Sequence, residues 1–335
     1  MRATTRSWIA ALLAGTVACG AAVFFLASCA PNVPDEEPAL RFGALLWDGL
    51  SRTYAVYAPA SPETPAPVVF LLHGGLGSAE SVWESENGRS WKTLADEHGV
   101  LLVLPEGRPD PTHTDRHHWN DCRSDIDNED AISAEDDVGY INALINRLAT
   151  ETAVDPARIY VTGASNGGMM TFRLAMQLGD RFAAAGAVIA NLPDPSECPF
   201  QAAPLPILIM NGTADPVIPY DGGCVAGAAC RRGRVRSTDD TVAFWVGVND
   251  AQVSAEETTL PDRVAADGST VTVFTHRGGS TGKNVILYRI DSGGHAIPGP
   301  ESATASLRAA SRKNRDIDAA EEIWRFFEQH ARPSE

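Results

Sequence analysis

The sequence predicts an α/β protein built on a mostly parallel sheet covered by helices. Three observations lead there. From Phe42 onward, short runs rich in Val, Ile and Leu alternate with amphipathic segments, the pattern of parallel strands joined by helical crossovers. Of the 335 residues, 44% are hydrophobic, enough for one large core. No internal repeat or low-polarity linker divides the body, so one domain with insertions is expected.

The apolar runs place strands at 44–47, 53–57, 68–72, 100–104, 159–161, 185–190, 207–210 and 285–290. Between them, Val138, Ile141, Leu144, Ile145 and Leu148 recur at helical spacing, with Asp136 or Asp137 available as N-cap. Residues 169–178 are helix-prone, and 317–330 repeat the amphipathic pattern.

The amino-terminal segment reads differently. Arg2 and Arg6 precede an almost unbroken apolar run over 8–27, which marks an export signal, with a retained spanning anchor as the alternative by length. Leu26-Ala27-Ser28-Cys29 resembles the bacterial lipobox, in which the cysteine is lipidated and becomes the mature terminus. The expected organisation is a lipoprotein signal over 1–28, a Pro-rich acidic tether over 29–40 and a catalytic domain over 41–332, held to the membrane through Cys29. A formal net charge of −16 repels phosphate backbones, so no nucleic-acid partner is expected. With Cys19 and Cys29 set aside, Cys122, Cys198, Cys224 and Cys230 remain as an even set in an oxidising compartment. The short spacing from Cys224 to Cys230 favours a local bridge, leaving Cys122 for Cys198.

Gly163-Ala164-Ser165-Asn166-Gly167 fits G-x-S-x-G, with an expected strand leading in and an expected helix leading out. Flanking glycines allow the sharp turn that lifts a serine hydroxyl to the carboxyl end of a sheet, beside a helix N-terminus. Ser165 is the expected nucleophile. Its hydroxyl needs a base, and the histidine must follow the last strand. His330 ends an amphipathic segment, whereas His295 sits in a Gly-rich loop directly after 285–290, so His295 is preferred. Chain order puts the orienting acid between the two. Asp215 fits, four residues after Asn211, while Asp239, Asp240 and Asp250 stay eligible by order. Oxyanion donors are expected from the backbone N–H of Gly75 or Leu76, in His73-Gly74-Gly75-Leu76, joined by that of Asn166. His73 itself is expected to be structural.

These pieces resemble the α/β-hydrolase family of extracellular polyhydroxybutyrate depolymerases and related feruloyl and acetylxylan esterases. The likeness covers most of 50–330. It rests on His73-Gly74-Gly75, Trp119-Asn120-Asp121, Asp136-Asp137-Val138-Gly139, the run from Val161 to Met170, the run from Gly212 to Tyr220, and Ile323-Trp324-Arg325-Phe326-Phe327. The resemblance implies the α/β-hydrolase fold and Ser165, Asp215 and His295 as nucleophile, acid and base. Family members often carry Gly-His-Thr-Trp-Pro-Gly around the base, where this chain has Gly294-His295-Ala296-Ile297-Pro298-Gly299. A tryptophan wall is therefore missing, and no separate polymer-binding domain follows the hydrolase body, so a short or soluble substrate becomes an option.

Weaker signals are read conservatively. The acidic run 125–130 lacks the glycine a calcium loop needs at Asp130, so no metal is assigned, and no cofactor is expected. Trp83, His117, His118 and Trp119 could line an aromatic cleft or serve only packing. Asn211-Gly212-Thr213 fits the glycosylation pattern but follows an expected buried strand. The expected function is a secreted serine esterase acting on polyester or oligoester, or on feruloyl or acetyl esters. Its rivals are acyl transfer on the same fold and a non-catalytic cell-surface binding protein.

Overall fold

Alternation within the central strands gives each of them two apolar faces, and a sheet of such strands must be covered on both sides. The computed structural model describes residues 39–109, 113, 115–124, 135–300 and 312–333. Its elements run β1 (Ala39–Trp47), β2 (Leu50–Ala58), β3 (Ala66–Leu72), α1 (Ala79–Glu84), α2 (Glu86–His98), β4 (Leu101–Pro105), β5 (Arg108–Pro109), β6 (His117–His118), α3 (Asp137–Glu151), β7 (Val154–Ala164) and α4 (Asn166–Gln177). There follow β8 (Ala184–Val188), β9 (Ile207–Gly212), β10 (Gly223–Cys224), β11 (Arg234–Val235), α5 (Thr238–Val248), β12 (Glu256–Thr259), β13 (Thr270–His276), β14 (Val285–Asp291) and α6 (Ala319–Phe327).

Ten strands form one sheet in the order β1-β2-β4-β3-β7-β8-β9-β14-β13-β12. From β4 to β14 the strands run parallel, and antiparallel pairs extend both edges. Val68, Phe70 and Leu72 of β3, with Val161 and Ile209, pack against Tyr140, Met170, Phe172 and Trp245 of α3, α4 and α5. The intervening Val69, Leu71, Tyr160 and Leu208 face Trp91 of α2 and Phe326 and Phe327 of α6. Phe327 stacks on Tyr160 with ring centroids 4.8 Å apart.

All eight expected strands are present. The one expected over 185–190 stops at Val188 because Ile189 turns to φ 47°, outside the β region. The C-terminal helix starts later than expected, since Asp318 caps it by accepting from Ala320 N at 2.8 Å. Asp136 is the N-cap of α3. In the ten-stranded sheet two strands had no signal, as had the two-residue β5, β6, β10 and β11 outside it: β12 is Glu-Glu-Thr-Thr and exposed throughout, and β13 mixes Val with Thr. The last two residues of the expected tether, Ala39 and Leu40, already pair with Ala58 and Tyr57. The expected signal segment, Cys29 and the acidic run 125–130 lie outside the described residues. Among the described residues no helix is long and apolar enough to cross a membrane.

Two bridges join Cys122 to Cys198 and Cys224 to Cys230, the pairs the spacing favoured. They close separations of 76 and 6 residues, worth about 4 and 2 kcal/mol of restricted unfolded chain. Urea unfolding should therefore show the Cys122→Ser/Cys198→Ser pair losing more stability than Cys224→Ser/Cys230→Ser, by about 2 kcal/mol.

Candidate active site

The turn from β7 into α4 is forced by close approach of backbone to backbone. A Cβ on Gly167 would lie 2.4 Å from the His73 carbonyl oxygen, and one on Gly163 would lie 2.6 Å from the Gly167 carbonyl carbon. Both positions therefore require glycine. Between them Ser165 adopts φ 57°, ψ −123°, a conformation that costs about 1–3 kcal/mol for a residue with a side chain. Flanking bonds hold it there: Ser165 N donates to Val188 O at 2.9 Å, and its carbonyl accepts from Met169 N at 2.9 Å.

The loops after β9 and β14 cross with the same tightness. A Cβ on Gly212 would meet Gly293 O at 2.4 Å, and Ala214 N donates to Gly293 O at 2.9 Å. This crossing brings Asp215 against His295. Asp215 Oδ2 lies 2.7 Å from His295 Nδ1, and His295 Nε2 lies 3.1 Å from Ser165 Oγ. The other oxygen, Oδ1, accepts from Val217 N at 2.7 Å and Ile218 N at 2.9 Å. The carboxylate is thus almost wholly enclosed and fixed as an acceptor on the imidazole. The other eligible acids lie elsewhere. Asp240 interacts with Ser237 at the start of α5, Asp239 accepts from Tyr220, and Asp250 accepts from Ser280.

Of the expected oxyanion donors, the structure separates two. Leu76 N donates to His117 O at 2.9 Å, so its amide is committed elsewhere, which corrects that alternative. Gly75 lies beside Asn166, its Cβ position 3.5 Å from the Asn166 Cβ. Neither amide takes a backbone acceptor among the described residues. His73 is fully buried behind this loop. Its Nδ1 bonds Gly74 O at 2.7 Å and its Nε2 accepts from Gly107 N at 2.9 Å, which fixes the tautomer. Burial pushes its pKa down to about 3, so the ring stays neutral and acts as a strut.

Trp83 and Trp119, open between cleft and packing in the sequence, are absent from the chamber lining and serve packing. Trp119 is wholly buried, stacked on His73 at 4.9 Å, with Nε1 donating to His73 O at 2.9 Å. Trp83 packs on Tyr57 at 4.9 Å. A tryptophan carries enough apolar surface to be drawn into a core wherever its N–H finds an acceptor. Asn211 is likewise buried and spends its side chain on Ala190, Asn191 and Thr238, so the sequon there is not presented to solvent.

The chamber facing Ser165 has a volume of about 240 Å³. Met169, Val217, Ile218 and Val225 make its apolar side, and His118, Arg123 and Arg232 its polar side. Of the three polar residues only His118 was in view from sequence, while Met169, Val217 and Ile218 lay within the motifs that carry the family likeness. Asn166, expected only as a backbone donor, also does structural work: Oδ1 accepts from Trp119 N at 2.8 Å, and Nδ2 donates to Trp119 O at 3.0 Å and Asp121 Oδ2 at 2.7 Å. Asp137, buried on Arg52 at 2.6 Å, accepts from Asn120 N at 2.8 Å. Burial raises its pKa while the Arg52 charge opposes that rise. The Trp119-Asn120-Asp121 and Asp136-Asp137 motifs are thus one scaffold.

Comparison with known proteins places this geometry. The Phospholipase/Carboxylesterase family matches residues 52–232. NocK of Nocardia uniformis subsp. tsuyamanensis, described as an esterase, is 32% identical over 267 residues, covering 75% of this chain and 72% of that protein. Feruloyl esterase B of Piromyces equi is 29% identical over 240 residues, 70% of this chain and 40% of its own length. The poly(3-hydroxybutyrate) depolymerase of Ralstonia pickettii is 34% identical over 148 residues, 42% of this chain and 29% of its own length. The chain thus spans less than half of these last two. Among solved structures, an acetyl xylan esterase from Aspergillus awamori shares the fold with a TM-score of 0.51 at 15% identity, over 76% of this chain and 94% of that one.

Because His73 is held well below the ordinary histidine pKa of about 6.5, the unfolded chain binds a proton that the folded chain refuses. Stability from this group is complete above about pH 6.5 and is lost as pH falls toward 3. Denaturant titrations at descending pH should show that loss, and His73→Gln should be less stable at neutral pH but lose less on acidification.

Proposed function

We propose, from the premise that the chain belongs to the Phospholipase/Carboxylesterase family of α/β hydrolases and is a carboxylic ester hydrolase, that it cleaves esters through an acyl-enzyme on Ser165. The observation that carries this reading is the unbroken line from Asp215 Oδ2 through His295 to Ser165 Oγ, at 2.7 and 3.1 Å. His295 Nε2 takes the hydroxyl proton as Ser165 attacks the ester carbonyl, and Asp215 holds the ring and stabilises its cation. The tetrahedral oxygen is received by the amide of Gly75, in the loop after β3, and that of Asn166, at the N-terminus of α4. The proton passes to the departing alcohol, and water, activated by the same imidazole, releases the acid.

Relatives named for feruloyl esters and for poly(3-hydroxybutyrate) support the reading of the substrate class. We assign this enzyme to polyester or oligoester, or else to feruloyl or acetyl esters, without a cofactor. Two disulfides support action in an oxidising compartment, which fits export and lipid attachment at Cys29. Mass spectrometry of the mature N-terminus checks that attachment: an acylated Cys29 is expected, and a chain still carrying Met1 would contradict it.

Ser165→Ala should remove esterase turnover while leaving the fold intact, a loss of about 10⁶ in kcat. Asp215→Asn should lower kcat by about 10⁴ with little change in KM. Initial rates on a para-nitrophenyl ester panel measure both.

A further inference from the structure

We infer that the chamber beside Ser165 is built for an ester whose enclosed portion ends in a carboxylate, and that Arg123 is the residue that reads it. The inference rests on the Ser165 mechanism proposed above and names the substrate for it. Arg123 follows the bridged Cys122 and is nearly buried, with its side chain 6% exposed. Its Nε lies 3.0 Å from both oxygens of Asp121, and Nη1 donates to Arg232 O at 2.6 Å. Nη2 takes no acceptor among the described residues, and the residue borders the chamber. A guanidinium carries five donors and cannot shed its charge, so a buried one with a nitrogen left over favours an anionic acceptor.

The rest of the wall agrees. In a chain of net charge −16, the described residues lining the chamber include two arginines, with His118 and His295, and no acid. Two carboxylates described nearby are already taken up: Asp121, fully enclosed, by Arg123 and Asn166, and Asp215 by His295 and two amides. The same lining holds Met169, Val217, Ile218 and Val225. A lining that combines arginine with these apolar side chains suits a short aliphatic chain bearing a terminal carboxylate, the monoester of a small dicarboxylic acid. Charge-assisted hydrogen bonds are about twice as strong as neutral ones.

The test compares the para-nitrophenyl monoester of adipic acid with the same compound capped as its methyl ester. The wild-type enzyme should favour the free acid by about tenfold in kcat/KM, with the advantage shrinking as salt rises. Arg123→Lys keeps a cation for Asp121 but loses the forked donor, so the ratio of the two substrates should fall toward unity. Because the readout is a ratio within one enzyme, partial loss of folded protein does not mimic it. Equal rates on acid and methyl ester in the wild type would overturn the inference, as would an unchanged ratio in Arg123→Lys. A wild-type protein inactive on para-nitrophenyl butyrate as well would instead overturn the Ser165 mechanism.

Discussion

The start of α4 passes so close to the end of β3 that no side chain fits between them: a Cβ on Gly167 would stand 2.4 Å from His73 O and 2.5 Å from Leu72 O. Much of the site follows from this contact. It fixes where α4 begins, forces the left-handed turn at Ser165, and sets Gly75 beside Asn166, so that the Ser165 hydroxyl and the two amides share one rigid corner. The strain at Ser165 is offset because α4 is buried along nearly its whole length and cannot rotate to relieve it.

Around that corner the chain uses buried polar groups to hold loops. Asn166 binds the 119–121 segment by both ends of its amide, Asp121 carries Arg123, Asp137 carries Asn120 and Arg52, and neutral His73 stands between Gly74 and Gly107. Such pairs give little net stability once desolvation is counted. Their effect here is positional, since each fixes a backbone segment that has no regular secondary structure of its own. The two disulfides extend the same restraint to the segments carrying Arg123, Val225 and Arg232.

Much of this was legible in the sequence, for physical reasons that also explain what was not. Strand positions followed from runs such as 68–72 and 207–210, because a buried parallel strand must be apolar on both faces. The Ser165 turn showed through its glycines, and His295 through chain order. Exposed β12 had no pattern to read, since an edge strand of Glu and Thr buries nothing. Trp83 and Trp119 were open between cleft and packing, and only three-dimensional contacts with Tyr57 and His73 decide for packing. Arg123 and Arg232 were invisible for the opposite reason: surface-type residues become part of a chamber only through loops brought together across 109 positions.

The central claim, that Ser165 is the nucleophile raised by His295, is tested most directly by covalent trapping. After brief exposure to a fluorophosphonate, intact-mass spectrometry should show one adduct per chain, peptide mapping should place it on Ser165, and His295→Ala should slow its formation by orders of magnitude. An adduct on another residue, or labelling of Ser165 at an unchanged rate without His295, would contradict the account.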